Sequence, residues 1–185
     1  MRTSESHPLR IDEVSIPGVI GRIGLTFCPG KKGESFTGTD WDRSMEADLE
    51  VIRLWGAHRV LTLIEDFEFD LLGVRGLGEL VAGKGMNWHH LPIVDGYPPD
   101  QRFLEAWPSV VNTLVEDLSA GKNLLVHCRG GLGRAGTVGS LLLAEFGWSS
   151  TAAVDHIRRA RPGTVETREQ ELFIEGYVRW RRQRP

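Results

Sequence analysis

Hydrophobic positions recur along this chain with two different periods, and the switches between them mark its elements. From Ile11 to Thr26, β-branched residues alternate with polar ones around Pro17-Gly18, the pattern of two short strands or a hairpin. Asp42 to Trp55 sets Met45, Leu49, Ile52 and Trp55 at helical spacing, and Gly56 ends the run. Arg59 to Ile64 is a continuous apolar run, as expected of a buried strand. Leu71 to Ala82 has helical spacing but is dotted with glycine. Met86 to Ile93 reads as a strand, Arg102 to Ser119 as a long amphipathic helix capped by Gly121, and Asn123 to His127 as another strand. Three helices are expected after it, over Arg134 to Phe146, Ser150 to Arg161 and Thr167 to Arg182. The polar residues 1–10 read as a flexible tail, and Pro29 to Gly33 as a turn. Strands alternating with helices predict a single α/β domain over residues 11–185, with a mostly parallel central sheet flanked by helices.

Composition narrows the class. The chain has 185 residues, enough for one domain with a sizeable core, with 41% hydrophobic and 25% charged residues. A net charge of −3 gives no global reason to expect nucleic acid or an acidic membrane as partner. No apolar stretch approaches the roughly 20 residues that span a bilayer, and the N-terminus lacks a signal peptide's apolar core. The two cysteines, Cys28 and Cys128, form no disulfide framework and fit a reducing compartment. A cytoplasmic monomer is expected.

The chemistry concentrates where the last strand ends. Leu124-Leu125-Val126-His127-Cys128 runs into Arg129-Gly130-Gly131-Leu132-Gly133, and Arg134 opens a helix. Glycines let backbone N–H groups turn inward without Cβ clashes. The helix adds its positive N-terminal end, and an arginine there can hold two phosphate oxygens at once. A thiol in this field is favoured as the thiolate, and a thiolate beside a bound phosphate can attack phosphorus. His127 reads as a residue that shapes the loop rather than as a base. The site would lie at the carboxyl end of a sheet strand, where ligands of open α/β sheets bind.

A buried cysteine is commonly just a small apolar residue, but not one set between a strand end and a glycine loop. Gly131-Leu-Gly133-Arg-Ala-Gly136 matches the dinucleotide fingerprint. That fingerprint also needs a following strand with an acidic end, whereas residues 152–159 read as helix. A nucleotide-hydrolase phosphate loop is excluded, since no Gly-Lys-Ser/Thr follows. His89 and His90 point to opposite faces of a strand, one expected behind the loop and one exposed, so they cannot chelate one metal. The basic end from Arg179 to Pro185 reads as a solvated helix terminus favoured by the dipole, with a docking patch as the alternative.

His127-Cys128, five residues and Arg134 resemble the signature of the cysteine-based protein tyrosine phosphatases. Trp88-His-His-Leu-Pro-Ile-Val-Asp95-Gly-Tyr-Pro-Pro-Asp100 is similar to the general-acid loop of their dual-specificity branch, and Pro162 to Gln170 to the segment bearing its water-positioning glutamine. Within that branch the spacings most resemble the phosphatases associated with cyclin-dependent kinases. The resemblance implies a phosphatase fold without metal or cofactor. It makes Cys128 the nucleophile, Asp95 the acid and then the base, and Gln170 the residue that places water. Residues Arg129, Gly130, Gly131, Leu132, Gly133 and Arg134 would bind phosphate. Asp100 is the alternative acid, though it also fits a helix cap; Gln170 could instead be a solvated helix position. One departure stands out: where the family places Ser or Thr after the arginine, this chain has Ala135. A phosphoprotein substrate is implied, bearing phosphotyrosine or phosphoserine and phosphothreonine. Arg129 leaves a phosphoinositide open, and Ala135 leaves open a phosphate-binding scaffold without turnover.

Overall fold

The computed structural model describes residues 1–34 and 38–183, so Arg184 and Pro185 of the basic end lie outside the described residues. Strands β1 (Asp12–Ser15) and β2 (Arg22–Phe27) form the expected hairpin, paired antiparallel. Two short strands, β3 (Lys32–Gly33) and β4 (Trp41–Asp42), make a separate ribbon that hydrophobic patterning did not predict. Helix α1 (Met45–Leu54) starts where the Ser44 side chain accepts from the Ala47 N–H, and it buries Leu49 and Ile52. Then come β5 (Ala57–Thr62), α2 (Asp66–Leu71) and α3 (Leu77–Gly83). The glycine-dotted helix expected over Leu71 to Ala82 is therefore shorter, starting only at Leu77, and α2 before it was not expected. Gly73 and Gly76 take positive φ between them, which breaks the helix.

After β6 (Asn87–His90) the chain enters α4 (Gln101–Ser119), capped by Asp100, and then β7 (Asn123–Cys128). Helices α5 (Gly133–Glu145), α6 (Ser150–Ala160) and α7 (Arg168–Arg182) complete the fold, all three close to their expected bounds. The main sheet has the order β1-β2-β7-β5-β6, with only β1 antiparallel. Strand β7 thus lies at its centre, with Leu124, Leu125 and Val126 fully buried. Each such side chain contributes about 1.5–3 kcal/mol relative to an exposed one. That rigid central strand delivers Cys128 to the sheet's carboxyl edge.

The first ten residues are not the loose tail that their polarity suggested. The Arg2 N–H donates to Asp40 O at 2.7 Å, and Leu9 is buried. Arg43, itself buried, donates from Nη1 to His7 O at 2.7 Å while its Nε and Nη2 hold Asp48. Polar residues are anchored here by a buried ion pair that no local pattern announces.

Candidate active site

Register sets the site's floor. Cys128 pairs with Phe27 across the sheet, and the chain then turns away over Gly131, whose φ is +71°. A Cβ at Gly131 would stand 2.3 Å from the carbonyl oxygen of Thr26, so only glycine fits. The Gly131 N–H donates to Cys128 Sγ at 3.2 Å, bringing the sulfur within the loop. On the outside, Arg161 donates to the carbonyls of Gly131 (2.6 Å) and Gly130 (3.1 Å) and is itself held by Asp12 at 2.6 Å. With its carbonyls tied outward, the loop is free to present N–H groups inward.

Arg134 is fully buried and tightly oriented. Glu68 accepts from Nη1 at 2.6 Å and from Nη2 at 3.1 Å, a bidentate clamp. The carbonyl of Ile93 takes another Nη1 bond at 3.1 Å. Burial disfavours the charge, but Glu68, Cys128 and Asp95 more than offset it and keep the group firmly cationic. Its Nε has no hydrogen-bond partner among the described residues, an unsatisfied buried donor beside the loop. A bound oxyanion would complete it.

Asp95 is placed at the mouth. Its side chain is 55% exposed, and Oδ1 lies 2.9 Å from Arg134 Nη2. Asp100, the alternative acid, caps α4 by accepting from Arg102 and Phe103 N–H groups. Its bond to the Arg102 guanidinium holds its carboxyl below the usual range.

His127 lies directly behind the cysteine, fully buried. Its Nε2 is 2.8 Å from the Thr62 hydroxyl, which also accepts from Trp88 Nε1 at 2.8 Å. Burial pulls the imidazole down to about 3, so it stays neutral at working pH. The expectation for His89 and His90 needs correction, because both are partly buried and neither lies free in solvent. His89 meets Arg59, while His90 bonds to Ile64 O at 2.8 Å and stacks on Trp88.

Gln170 is fully buried, not a solvated helix position. Its Oε1 accepts from the Glu166 and Thr167 N–H groups, and its Nε2 donates to Tyr97 O at 3.3 Å. It therefore joins the start of α7 to the loop carrying Asp95. Glu166 was not singled out from sequence, yet its carboxylate accepts from the Gly133 N–H at 2.8 Å. The residue before it, Val165, has φ +56°, rare for a β-branched residue. Glu68 was missed too, although Glu65 and Glu68 after an apolar strand carry the spacing of a capping box, which they form. Ala135 is buried, and the nearby Thr137 hydroxyl donates to Gly133 O at 2.8 Å, so it does not substitute for the absent hydroxyl.

Comparison with known proteins agrees with this geometry. Residues 43–174 match the family model described as PTP-SAK, the Swiss Army Knife protein DSP-PTPase phosphatase domain. The mouse protein named cyclin-dependent kinase inhibitor 3 is 30% identical over 154 residues, covering 82% of this chain and 69% of that protein. The crystal structure of kinase associated phosphatase, solved with its catalytic-site cysteine replaced by serine, superposes with a TM-score of 0.83. It is 25% identical and covers 97% of this chain and 99% of that one. The active form of Tk-PTP gives a TM-score of 0.66 at 30% identity, over 90% of this chain and 99% of its own.

Proposed function

Because this chain belongs to the dual-specificity branch of the cysteine-based protein tyrosine phosphatases, we propose that it hydrolyses phosphomonoesters with Cys128 as nucleophile and Asp95 as proton donor. The observation that carries this assignment is the pairing of Cys128 Sγ, held by the Gly131 N–H, with a clamped Arg134 whose Nε lacks a partner. Phosphate would take the open donor of Arg134 and the loop N–H groups of residues 129–134 other than those of Gly131 and Gly133, which already donate to Cys128 Sγ and to Glu166.

In the first step the Cys128 thiolate attacks phosphorus, a P–S bond forms, and the ester P–O bond breaks. The departing oxygen takes the proton of Asp95. Before substrate arrives, Asp95 is paired with Arg134. An incoming phosphate dianion would replace it at Arg134, freeing the Asp95 carboxyl to face the leaving oxygen. In the second step Asp95 takes a proton from water as its oxygen attacks phosphorus and the P–S bond breaks. Gln170 places that water once its long bond to Tyr97 O is released by movement of the Asp95 loop. His127, neutral and bonded to Thr62, fixes the strand end rather than exchanging protons.

The substrate class inferred is a phosphoprotein bearing phosphotyrosine, phosphoserine or phosphothreonine, as similarity to a kinase associated phosphatase supports. The two free thiols support a reducing, cytoplasmic setting, and among the described residues no helix is long and apolar enough to cross a membrane. We infer that it acts as a monomer. Hydrolysis of p-nitrophenyl phosphate, with an acid-quenched phosphoenzyme that disappears in Cys128→Ser, tests the reading. Full activity in Cys128→Ser refutes it. Phosphate binding by the wild-type protein without turnover would make it a scaffold instead.

A further inference from the structure

A cleft of about 350 Å³ runs from Asp95 and the loop residues Arg129 and Gly130 to Lys31 and Trp41. Lys31 is its unusual group. The side chain is almost fully buried, 8% exposed, yet among the described residues no carboxylate lies within ion-pair reach of its ammonium. Its neighbour Lys32 differs, with Asp42 at 3.4 Å. Lys31 Nζ donates to Arg129 O at 3.3 Å and sits 4.5 Å and 4.2 Å from the ring centres of Phe27 and Trp41. Two aromatic faces and one carbonyl offset part of the cost of burying the charge. An ammonium has three donors, and this one is committed to a single long bond. The rings and the carbonyl of Arg129 also fix where it stands relative to the phosphate loop.

Arg2, Lys32 and Arg129 line the cleft with Lys31, against the carboxylates of Glu34, Asp95 and Glu166. Lys31, with two ammonium donors uncommitted, is the group placed to take a further anion beside the scissile phosphate.

We propose that Lys31 anchors a second anion subsite, and that the preferred substrate is a phosphopeptide with a further phosphate or carboxylate on a residue next to the scissile phosphate. The proposal rests on the phosphatase reading above and adds a substrate preference to it. Burial draws Lys31 down to about 8, and an anion seated beside it would favour its charged form.

The test compares kcat/KM for phosphotyrosine peptides whose flanking residues are alanine, aspartate or a second phosphorylated residue, on either side, with the full chain. The wild type should prefer the doubly anionic peptides by about tenfold, through KM, as expected for one charge-assisted contact. The preference should shrink as salt rises. Lys31→Met should collapse that ratio, and Lys31→Arg should restore most of it, with thermal unfolding reporting on folding in each. Equal kcat/KM for neutral and anionic peptides in the wild type overturns the subsite while leaving the phosphatase reading intact. An unchanged ratio in a folded Lys31→Met protein overturns the role of Lys31. Preference for vesicles of phosphatidylcholine with a bisphosphorylated inositol lipid over every peptide overturns the substrate class. No hydrolysis of p-nitrophenyl phosphate would instead sink the phosphatase reading itself.

Discussion

The two sides of the candidate site are built to different standards. Behind the phosphate position, Arg134 and Cys128 are buried, the first clamped by Glu68 of α2 and the second held by the Gly131 N–H of the loop that follows it. In front, Asp95 is more than half exposed and touches that assembly through one ion pair to Arg134. The rear wall is fixed by buried bonds, and the front is held by the same Arg134 cation that, on the proposed reading, a substrate phosphate would take over. Rigidity where charge must be stabilised and freedom where a proton must be delivered follow from how many partners each side chain has.

The contrast can be broken most severely at Glu68. Glu68→Ala leaves Arg134 buried with only the half-exposed Asp95 as counter-charge, which should cost about 3–5 kcal/mol. At about 2–4 °C per kcal/mol for a domain of this size, thermal unfolding should fall by roughly 10 °C or more, with activity lost alongside. A fall of under about 2 °C would show that the rear wall is not built on that clamp. Asp95→Asn should do the opposite. Its unfolding temperature should hold, while kcat on phenyl phosphate drops by about 10²-fold or more and far less on p-nitrophenyl phosphate, whose leaving group needs no proton. Equal losses on both esters would remove Asp95 as the acid.

A third measurement concerns the floor of the rear wall. The folded protein holds His127 neutral down to about pH 3, whereas an unfolded histidine takes up its proton near 6.5. Between those values the unfolded state binds more protons, so stability should rise with pH. Denaturant titrations should show that slope, and it should flatten in His127→Asn. The smallest effect is expected at Ala135. Without a hydroxyl to assist departure of the sulfur, release of phosphate from Cys128 should be slow, giving a pre-steady-state burst. Ala135→Ser should shorten the burst and raise turnover by a few-fold; a single steady phase in the wild type would remove the premise.

The rear wall's sequence-local parts could be read in advance, and its long-range parts could not. Cys128, the glycines and Arg134 lie within seven consecutive residues, and the strand and helix around them have clear periods. Glu68 reaches Arg134 across 66 positions and Asp12 reaches Arg161 across 149. Neither carboxylate has a periodic signature, because a buried ion pair is specified by where the fold brings two elements together. The same holds for the first ten residues, which polarity marks as a tail and the Arg43–Asp48 pair anchors. The late start of α3 was hidden because glycine spacing shows that a helix is weak without saying where it begins.

The glycines of the loop also set how this enzyme could be diversified. Gly131 is fixed twice over, by its positive φ and by the backbone of Thr26 behind it. Gly130 has neither restraint, and a Cβ there would meet nothing within 4 Å. A library aimed at new substrates therefore has one silent entrance in the loop itself. Side chains placed at 130 would grow into the cleft without moving the thiol, whereas any at 131 would have to dismantle the sheet edge first.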